Sequence, residues 1–375
     1  MEIDFQVRYF HVIFNKNYKF QFVIGKKDKR VTIYDIAREI GIAPSSVSKA
    51  LNNKSSISKK IKALVDAKAI ELNYVHNANA ANLRRGSSKT IGVIVPKINA
   101  AFFANVIAGM EEACFENSHN LIICQSDESY EKEKQAVATL IHQNVDCIII
   151  SLSIETKSCE HLLEIEKHCI KLIQFDRVDE DVASHIIVND NKNAAYEAVK
   201  HLIETGYHKI AFLGGSDYLR IYKDRKEGYL KAMKEFGLPI PSDYIVDNAL
   251  TIERGMEVAT ELLNKKEPPN AFFTISDYSA LGVLKSTRLL KLTVPQQIGI
   301  VGFSNEAFTE IISPSLSSVD QRSRILGKSA ANIYFKFIAT KKKDAKFRKQ
   351  IIKSSIVIRE SSSKSNETKS NPYSG

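Results

Sequence analysis

Hydrophobic residues near the amino-terminal end of the chain recur at helical spacing on both sides of a glycine. Between Ile33 and Ile40 they stand three or four positions apart, which predicts a short helix after the N-cap Thr32. Gly41 ends this helix, because glycine adopts the left-handed conformation of a helix end at least cost. Pro44 then suits the first turn of a second helix.

The second helix has an apolar face and a polar face. Its polar positions carry small hydroxyl groups and one cation: Ser45, Ser46, Ser48 and Lys49. A helix this short is unstable alone in water, and an outer face of small donors suits a groove better than a protein core. We therefore predict a helix-turn-helix whose second helix lies in the DNA major groove. A helical hairpin in some other domain is the alternative.

A third helix and a short connecting segment follow. Ser58 can cap the third helix, whose apolar face runs from Ile61 to Leu72. The stretch Asn77–Arg85 is rich in Ala and Asn and holds one large apolar residue, Leu83, so by itself it is typical of a linker. We expect residues 86–89 to be a flexible joint.

From Thr90 onward, short apolar runs alternate with amphipathic helices. The predicted strands are 91–96, 121–125, 147–152, 170–175, 185–188, 209–213, 244–246, 271–275, 298–303 and 351–358. Such alternation predicts parallel sheets covered on both faces, in enough units for two doubly wound subdomains. Ligands bind such sheets at the carboxyl ends of the strands, so we predict a ligand cleft between the subdomains.

The two ends of the chain differ from the rest. Residues 1–25 hold two apolar, aromatic runs separated by polar residues, which predicts strand, loop and strand. Charged residues within them argue against a secretory signal or a membrane helix. We interpret residues 1–29 as a poorly packed extension or the product of a mis-assigned start. Residues 361–375 are polar and Ser-rich, and we predict them to be disordered.

Positive charge is concentrated in the predicted head. The whole chain has a formal net charge of +10, and residues 26–89 hold 14 Lys or Arg against 5 Asp or Glu. From residue 90 onward the two signs balance. A basic segment at a helix-turn-helix is the electrostatic footprint of phosphate binding.

Little in the sequence indicates catalysis. The nine histidines form no metal pair, and no nucleophile signature or complete phosphate loop is present, so we expect no enzyme activity, no metal and no cofactor. The five cysteines form no CxxC pair, and most lie in apolar runs. They are typical of free buried thiols in a reducing compartment, and we expect the protein in the cytoplasm.

Several segments resemble the lactose-repressor (LacI/GalR) family of bacterial transcription regulators. In the head these are VTIYDIAREIGIAPSSVSKALNN and ELNYVHNANAANLRR; in the body they are PPNAFFTISDYSALGVLKS, VPQQIGIVGFSN and SPSLSSVDQ, in the family's order. The resemblance implies an α/β fold class, with an all-α helix-turn-helix head and a core like periplasmic sugar-binding proteins. It implies a DNA-binding domain at 30–76, a hinge helix and linker at 77–89, and an effector-binding and dimerisation core at 90–360.

The resemblance also implies the residues that contact DNA. It places base reading at Pro44, Ser45 and Lys49. Phosphate contacts fall on Thr32, Ser46, Ser48, Asn52 and Asn77. In the hinge it implicates Ala80 and Leu83, the latter as a leucine that would wedge a base step in the minor groove. Ala43 stands where the family usually has a capping Ser.

The effector site implied by the resemblance departs from the family pattern at several positions. Asp176 and Arg225 match positions that hold a small polar ligand, although a salt bridge at the rim is the alternative. Ser276, beside Asp277, replaces a frequent Asn, while Ser304 and Asn305 replace a frequent Asp pair. Phe102 and Phe103 could stack on a sugar ring or belong to the core.

We therefore expect a sequence-specific regulator, most simply a repressor, that acts as a homodimer on a near-palindromic DNA operator and has no membrane partner. Its expected effector is a sugar or sugar derivative bound between the subdomains. The alternatives are a regulator that responds to a protein partner or a non-sugar ligand, and a sugar-binding transport protein.

Overall fold

Hydrophobic residues at helical spacing pack the first three helices of the chain against one another. In the computed structural model, which describes residues 31–52, 56–74, 87–339 and 347–364, these are α1 (Ile33–Ile40), α2 (Pro44–Leu51) and α3 (Lys59–Glu71). Their shared core is formed by Ile36, Ala37, Val47, Ala50 and Val65. They belong to the first of two compact units, Met1–Ala78, which we call the head; the second, Asn79–Gly375, is the core.

The ends of the head helices follow the local sequence. Gly41 has a φ of 68° after α1, and the predicted left-handed helix end is confirmed. The Ser58 side chain accepts a hydrogen bond from the amide of Ile61 and caps α3. Ala43 precedes α2 and offers no side-chain cap, as its methyl group dictates.

The core consists of two lobes, each built on a six-stranded sheet. The elements are β1 (Thr90–Val95), α4 (Ala101–Glu116), β2 (Asn120–Gln125), α5 (Tyr130–His142), β3 (Cys147–Ile150), α6 (Glu160–Lys167), β4 (Lys171–Phe175), β5 (His185–Asn189), α7 (Asn191–Glu204), β6 (Ile210–Leu213), α8 (Arg220–Glu235), β7 (Ile245–Val246), α9 (Ile252–Leu263), β8 (Ala271–Thr274), α10 (Asp277–Leu289), β9 (Gly299–Phe303), α11 (Phe308–Ile311), β10 (Ser317–Asp320), α12 (Ser323–Ile333), β11 (Lys349–Ile352) and β12 (Ser355–Val357). The amino-terminal lobe has the strand order β11-β5-β4-β3-β1-β2, and the carboxy-terminal lobe has β12-β10-β9-β8-β6-β7.

The sheets are parallel except at one edge. Buried apolar strands such as β3 and β9 lie in the middle, with helices on both faces, which explains their continuous hydrophobic runs. The short edge strand β12 is antiparallel to β10. The predicted doubly wound architecture is confirmed, with this one departure from a fully parallel arrangement.

Glycines let two helices of the amino-terminal lobe approach closely. A Cβ at Gly109 of α4 would overlap the carbonyl oxygen of Arg324 in α12. In return, a Cβ at Gly327 of α12 would overlap the carbonyl oxygen of Val106. The helix that follows β10 therefore packs back onto the first lobe.

The chain passes between the lobes at three places within the described residues. These crossings are at 189–191, 320–323 and 352–355. We predicted a single strand at 351–358, and this is wrong: β11 joins the first sheet and β12 joins the second, with Lys353 and Ser354 between them. The break cannot be predicted from hydrophobicity alone, because both halves are apolar and the change of sheet depends on tertiary contacts.

Two segments that we expected to be loose are tied to the core. Asp146 accepts hydrogen bonds from the Ser87 hydroxyl (2.6 Å) and from the amides of Ser88 (2.7 Å) and Lys89 (2.8 Å). The expected flexible joint is thus anchored from Ser87 onward. Likewise Ser361 and Ser362 are buried, with hydroxyls donating to the Ile300 carbonyl and to Ser317, so the expected disordered tail does not begin at Ser361. Residues 365–375 lie outside the described part.

The cysteines are free but differ in burial. Cys114 and Cys147 are buried, and burial raises the pKa of both thiols, that of Cys114 to about 12. Cys124 and Cys159 are half-buried and Cys169 is exposed. The expectation of buried thiols therefore applies to only part of the set.

Candidate DNA-binding and effector sites

The second head helix presents a polar face and packs its other face inward. Ser45 and Lys49 are exposed, whereas Val47 and Ala50 are buried. Ser48 is also buried, with 6% of its surface exposed, so it lies on the packed side of α2. Of the polar residues of this helix, Ser45 and Lys49 are therefore the most accessible to a DNA groove.

Two other predicted DNA contacts already have partners inside the head. The amide and the hydroxyl of Thr32 both donate to the carboxylate of Asp35, at 2.9 and 2.7 Å. This arrangement fixes the start of α1. The side-chain amide of Asn52 donates to the carbonyl of Ser48 at 2.7 Å and closes the end of α2.

Two of the five remaining predicted DNA contacts lie within the described residues. Pro44 and Ser46 are half-buried in the first turn of α2. Asn77, Ala80 and Leu83 lie outside the described residues, as do the hinge helix and the amino-terminal extension.

A cavity of about 700 Å³ lies between the two lobes of the core. Its volume falls in the range of small-molecule sites. Most of the residues that line it, from both lobes, are charged or polar: Ser153, Thr156, Lys157, Asp176, Arg177, Asp179, Glu180, Asp181, Asn189, Asp190, Asn191, Lys192, Asn193, Tyr218, Arg220, Asp224 and Lys349. The carboxyl ends of β4 and β5 open onto it, as expected for parallel sheets.

Asp176 is the first residue after β4 and has a left-handed backbone with φ of 57°. Only 5% of its surface is exposed, and no group within the described residues donates a hydrogen bond to its carboxylate. Burial raises the pKa of Asp176, while the nearby cations Arg177 and Arg225 lower it in part. This buried carboxylate can accept hydrogen bonds from hydroxyl groups of a ligand.

Arg225 lies in α8 and is held on several sides. Its Nε donates to Oδ1 of Asn191 at 2.9 Å, and its Nη1 donates to the Ile275 carbonyl at 3.2 Å. Its surface is 4% exposed, and desolvation lowers the pKa of Arg225 to about 10. A guanidinium positioned in this way can donate to a ligand in a fixed direction.

Asp176 lines this cavity and Arg225 contacts the lining residue Asn191, whereas the other predicted effector residues do not line it. Phe103 is buried and packs edge-on against Phe175, and Phe102 packs edge-on against Phe103. The hydroxyl of Ser276 donates to the Leu250 carbonyl at 3.2 Å. These side chains serve the packing of their own lobes.

Asp277, Ser304 and Asn305 belong to a polar network at the carboxyl end of β9. Asp277 is buried and accepts hydrogen bonds from the Ser318 hydroxyl (2.6 Å) and the Glu306 amide (2.8 Å). Ser304 donates to Gln321, and Asn305 accepts from Arg359. Each side chain thus has a partner within the lobe.

Several residues of the cavity were not predicted from the sequence. Arg177 follows Asp176 directly and pairs with Glu128 at 2.7 Å. Tyr218 and Arg220 stand before and at the start of α8, and Asn189 and Asp190 stand at a crossing between the lobes. Their positions depend on the three-dimensional hinge, although the charged run from Asp176 to Asp181 was a usable local signal.

Two further kinds of feature, a metal site and a membrane-spanning helix, are absent from the described residues. These residues contain no group of three His, Cys, Asp or Glu side chains that could hold a metal ion. Within the same ranges, no helix is long and apolar enough to cross a bilayer.

A helix-turn-helix head and a two-lobed core with a cleft cavity define a class of DNA-binding proteins with a ligand-binding core. Comparisons with known proteins identify the family. The model "Bacterial regulatory proteins, lacI family" matches residues 32–77, and "Periplasmic binding proteins and sugar binding domain of LacI family" matches residues 88–360. The chain belongs to the LacI family, and is thus a DNA-binding transcriptional regulator with an effector-binding core.

Individual relatives agree with this assignment. Catabolite control protein A of Priestia megaterium is 31% identical over 87% of this chain and 96% of that protein. The NTD biosynthesis operon regulator NtdR of Bacillus subtilis is 31% identical over 88% of this chain and 99% of that protein. The crystal structure of the lac repressor dimer bound to operator and the anti-inducer ONPF is 23% identical, with a TM-score of 0.79 over 90% of this chain and all of that one.

Proposed function

We propose that this protein is a cytoplasmic repressor that binds a near-palindromic operator as a homodimer and responds to a small polyol, a sugar or sugar derivative, in the cleft of its core. It has no catalytic role in this proposal. Related chains named as repressors, such as PurR of Vibrio vulnificus (29% identical over 84% of this chain), support the direction of regulation. A regulator solved as a complex with cellobiose shares the fold, with a TM-score of 0.66.

Two buried side chains of opposite charge, Asp176 and Arg225, lie close enough to influence each other electrostatically, and this carries the effector proposal. Both side chains are almost fully buried, Asp176 in the lining of the cavity and Arg225 behind the lining residue Asn191, and each lowers the cost of charge on the other. A carboxylate that accepts and a guanidinium that donates together complement hydroxyl groups, which do both. A fully apolar ligand would leave these two groups buried without new partners, at a cost in affinity.

The DNA proposal depends on the exposed face of α2 and on the basic charge of the head. Lys49 and Ser45 are the accessible polar side chains of that helix. Pro44 would add apolar contact, while Asn77, Ala80 and Leu83 would contact DNA through the hinge. We also propose that the DNA-binding domain spans residues 30–76 and that the hinge helix and linker span residues 77–89.

Thermal unfolding against a panel of monosaccharides, disaccharides and sugar acids tests the effector proposal. A ligand that binds only the folded protein raises the midpoint by mass action. We expect a rise with one compound class, absent in Asp176→Asn. No rise with any compound would reject the sugar proposal and favour a protein partner or another ligand.

The salt dependence of DNA binding tests the head independently. Affinity for duplex DNA should fall steeply between about 50 and 200 mM salt, because Lys and Arg side chains displace counterions from phosphates. A flat response would contradict the role proposed for the head and leave the effector proposal untouched.

A further inference from the structure

In the described part of the chain, two polar side-chain contacts join the lobes across the cleft, and both come from one short segment. The hydroxyl of Tyr218 donates to the carbonyl oxygen of Thr156 at 2.6 Å. Two residues later, the guanidinium of Arg220 pairs with Glu180 at 2.9 Å. Tyr218 and Arg220 belong to the carboxy-terminal lobe, and Thr156 and Glu180 to the amino-terminal lobe.

These four residues also line the 700 Å³ cavity. Asn189 and Asp190, at a crossing between the lobes, line it as well. The cavity is therefore bounded both by a chain crossing between the lobes and by contacts that any opening of the lobes would break.

The acceptor for Tyr218 is held in place by the buried carboxylate of Glu133. The two carboxylate oxygens of Glu133 accept hydrogen bonds from the Ser153 amide (2.6 Å) and the Thr156 hydroxyl (2.9 Å). His161 Nε2 lies 2.8 Å from the same carboxylate. The Thr156 carbonyl is thus presented by a fixed loop, which lowers the entropy lost when Tyr218 binds it.

The acceptor for Arg220 is fixed in a similar way. Glu180 also pairs with Lys349 of β11, in its own lobe, at 2.6 Å. Because Lys349 belongs to the same lobe as Glu180, opening of the lobes need not break this second contact. Both contacts across the cleft therefore consist of a held acceptor and a donor from the opposite lobe.

We infer that Thr156, Glu180, Tyr218 and Arg220 form a clasp that sets the balance between closed and open lobes, and thereby how accessible the cavity is to a small molecule. Only the identity of the cavity as an effector site rests on the proposed function. Each contact is partly exposed, so each changes the closed-to-open ratio by roughly two- to tenfold. Such values leave the clasp easy to open and sensitive to a single substitution.

The chain contains its own reporter of clasp opening. Cys159 lines the cavity and is half-buried; burial and a hydrogen bond to Asp179 raise the pKa of its thiol to about 12. Cys169 is exposed, and Cys114 and Cys147 are buried in the lobe core. The labelling rate of Cys159 therefore reports cleft opening, and that of Cys169 reports the reactivity of the reagent. The labelling rates of Cys114 and Cys147 report global unfolding.

The test is the rate of N-ethylmaleimide labelling at each cysteine of the full chain, resolved by peptide mass spectrometry. Tyr218→Phe and Arg220→Gln should each speed labelling of Cys159 about two- to tenfold, and the double variant should speed it further. Cys169 should be unaffected. Tyr196→Phe and Arg254→Gln are matched controls, because they remove comparable contacts, Tyr196–Glu235 and Arg254–Glu257, within one lobe.

An unchanged Cys159 rate in the double variant would overturn the clasp. If the labelling of Cys114 and Cys147 also becomes faster in that variant, the lobe has unfolded. The two single variants then decide, through the ratio of the Cys159 labelling rate to the Cys169 labelling rate. The readout needs neither effector nor DNA. A failure of the clasp would leave the proposed function standing, and a failure of the sugar panel would leave the labelling result valid.

Discussion

The guanidinium of Arg225 lies 3.8 Å from the centroid of the Phe303 ring. The two residues are on α8 and β9 of the same lobe. The ring face offers this buried cation an electrostatic partner in place of water. Together with Asn191, it holds the guanidinium in place, and no carboxylate within the described residues forms a close ion pair with it.

Replacing Arg225 should therefore abolish the response to effector and spare the head. In Arg225→Gln, the rise in the unfolding midpoint caused by the identified sugar should disappear, because the amide cannot reproduce the fork of donors. Binding to operator DNA should persist. Arg254→Gln, at a half-buried arginine of α9, is the control, and an undiminished midpoint rise in Arg225→Gln would contradict the assignment.

Lys49 should contribute to base preference as well as to affinity. It is exposed on α2 and can donate to the acceptors of a guanine edge in the major groove. In Lys49→Ala, discrimination between half-site variants should fall by about 1–3 kcal/mol at one position. Competition binding with single-base operator variants measures this. A uniform loss over all variants would instead indicate a phosphate contact, and Lys200→Ala, in the core, should change neither quantity.

Asp277 should make the core more stable at mildly acidic pH. Burial raises the pKa of Asp277 to about 6 in the folded chain, above the usual aspartate value of about 3.9. The folded state thus binds more protons than the unfolded state between these values, so stability from this group rises as pH falls. From pH 7 to pH 5, the free energy of unfolding should gain about 1 kcal/mol relative to Asp277→Asn. Urea titrations at both pH values test this; a parallel pH dependence in the two proteins would refute it.

Glu133 should stabilise the fold more than its surface neighbours do. Its carboxylate is fully buried and accepts three hydrogen bonds, so Glu133→Gln leaves at least one buried donor without an acceptor. The expected loss is about 1–3 kcal/mol in the free energy of unfolding. Glu131→Gln, on the exposed side of α5, should stay within about 0.5 kcal/mol. Equal stabilities of the two variants would contradict the buried network.

Local patterns predicted most elements of this protein because their causes are local. Gly41, Pro44 and Ser58 act on their immediate neighbours, and the helix limits at these residues were confirmed. The buried strands were also recognisable, since parallel strands covered on both faces require continuous apolar runs.

The errors arose where contacts distant in sequence decide the structure. One apolar run in the sequence is divided between two sheets: Lys349–Ile352 pairs with β5, and Ser355–Val357 pairs with β10. Ser361 appeared polar and therefore loose, yet the Ile300 carbonyl gives its hydroxyl a buried acceptor. In the same way, Tyr218 and Arg220 became part of the cleft only through the folding of one lobe against the other.

The segment 347–364 supplies an edge strand to each lobe, and this has a consequence for biosynthesis. Neither sheet can be completed until this segment has left the ribosome, although most of both lobes has been synthesised by then. The nascent chain must hold two unfinished sheets with exposed edges, and such edges invite pairing with other chains. Premature termination before residue 347 would therefore damage both lobes at once, so we expect a truncated product to aggregate and not to persist as one intact lobe.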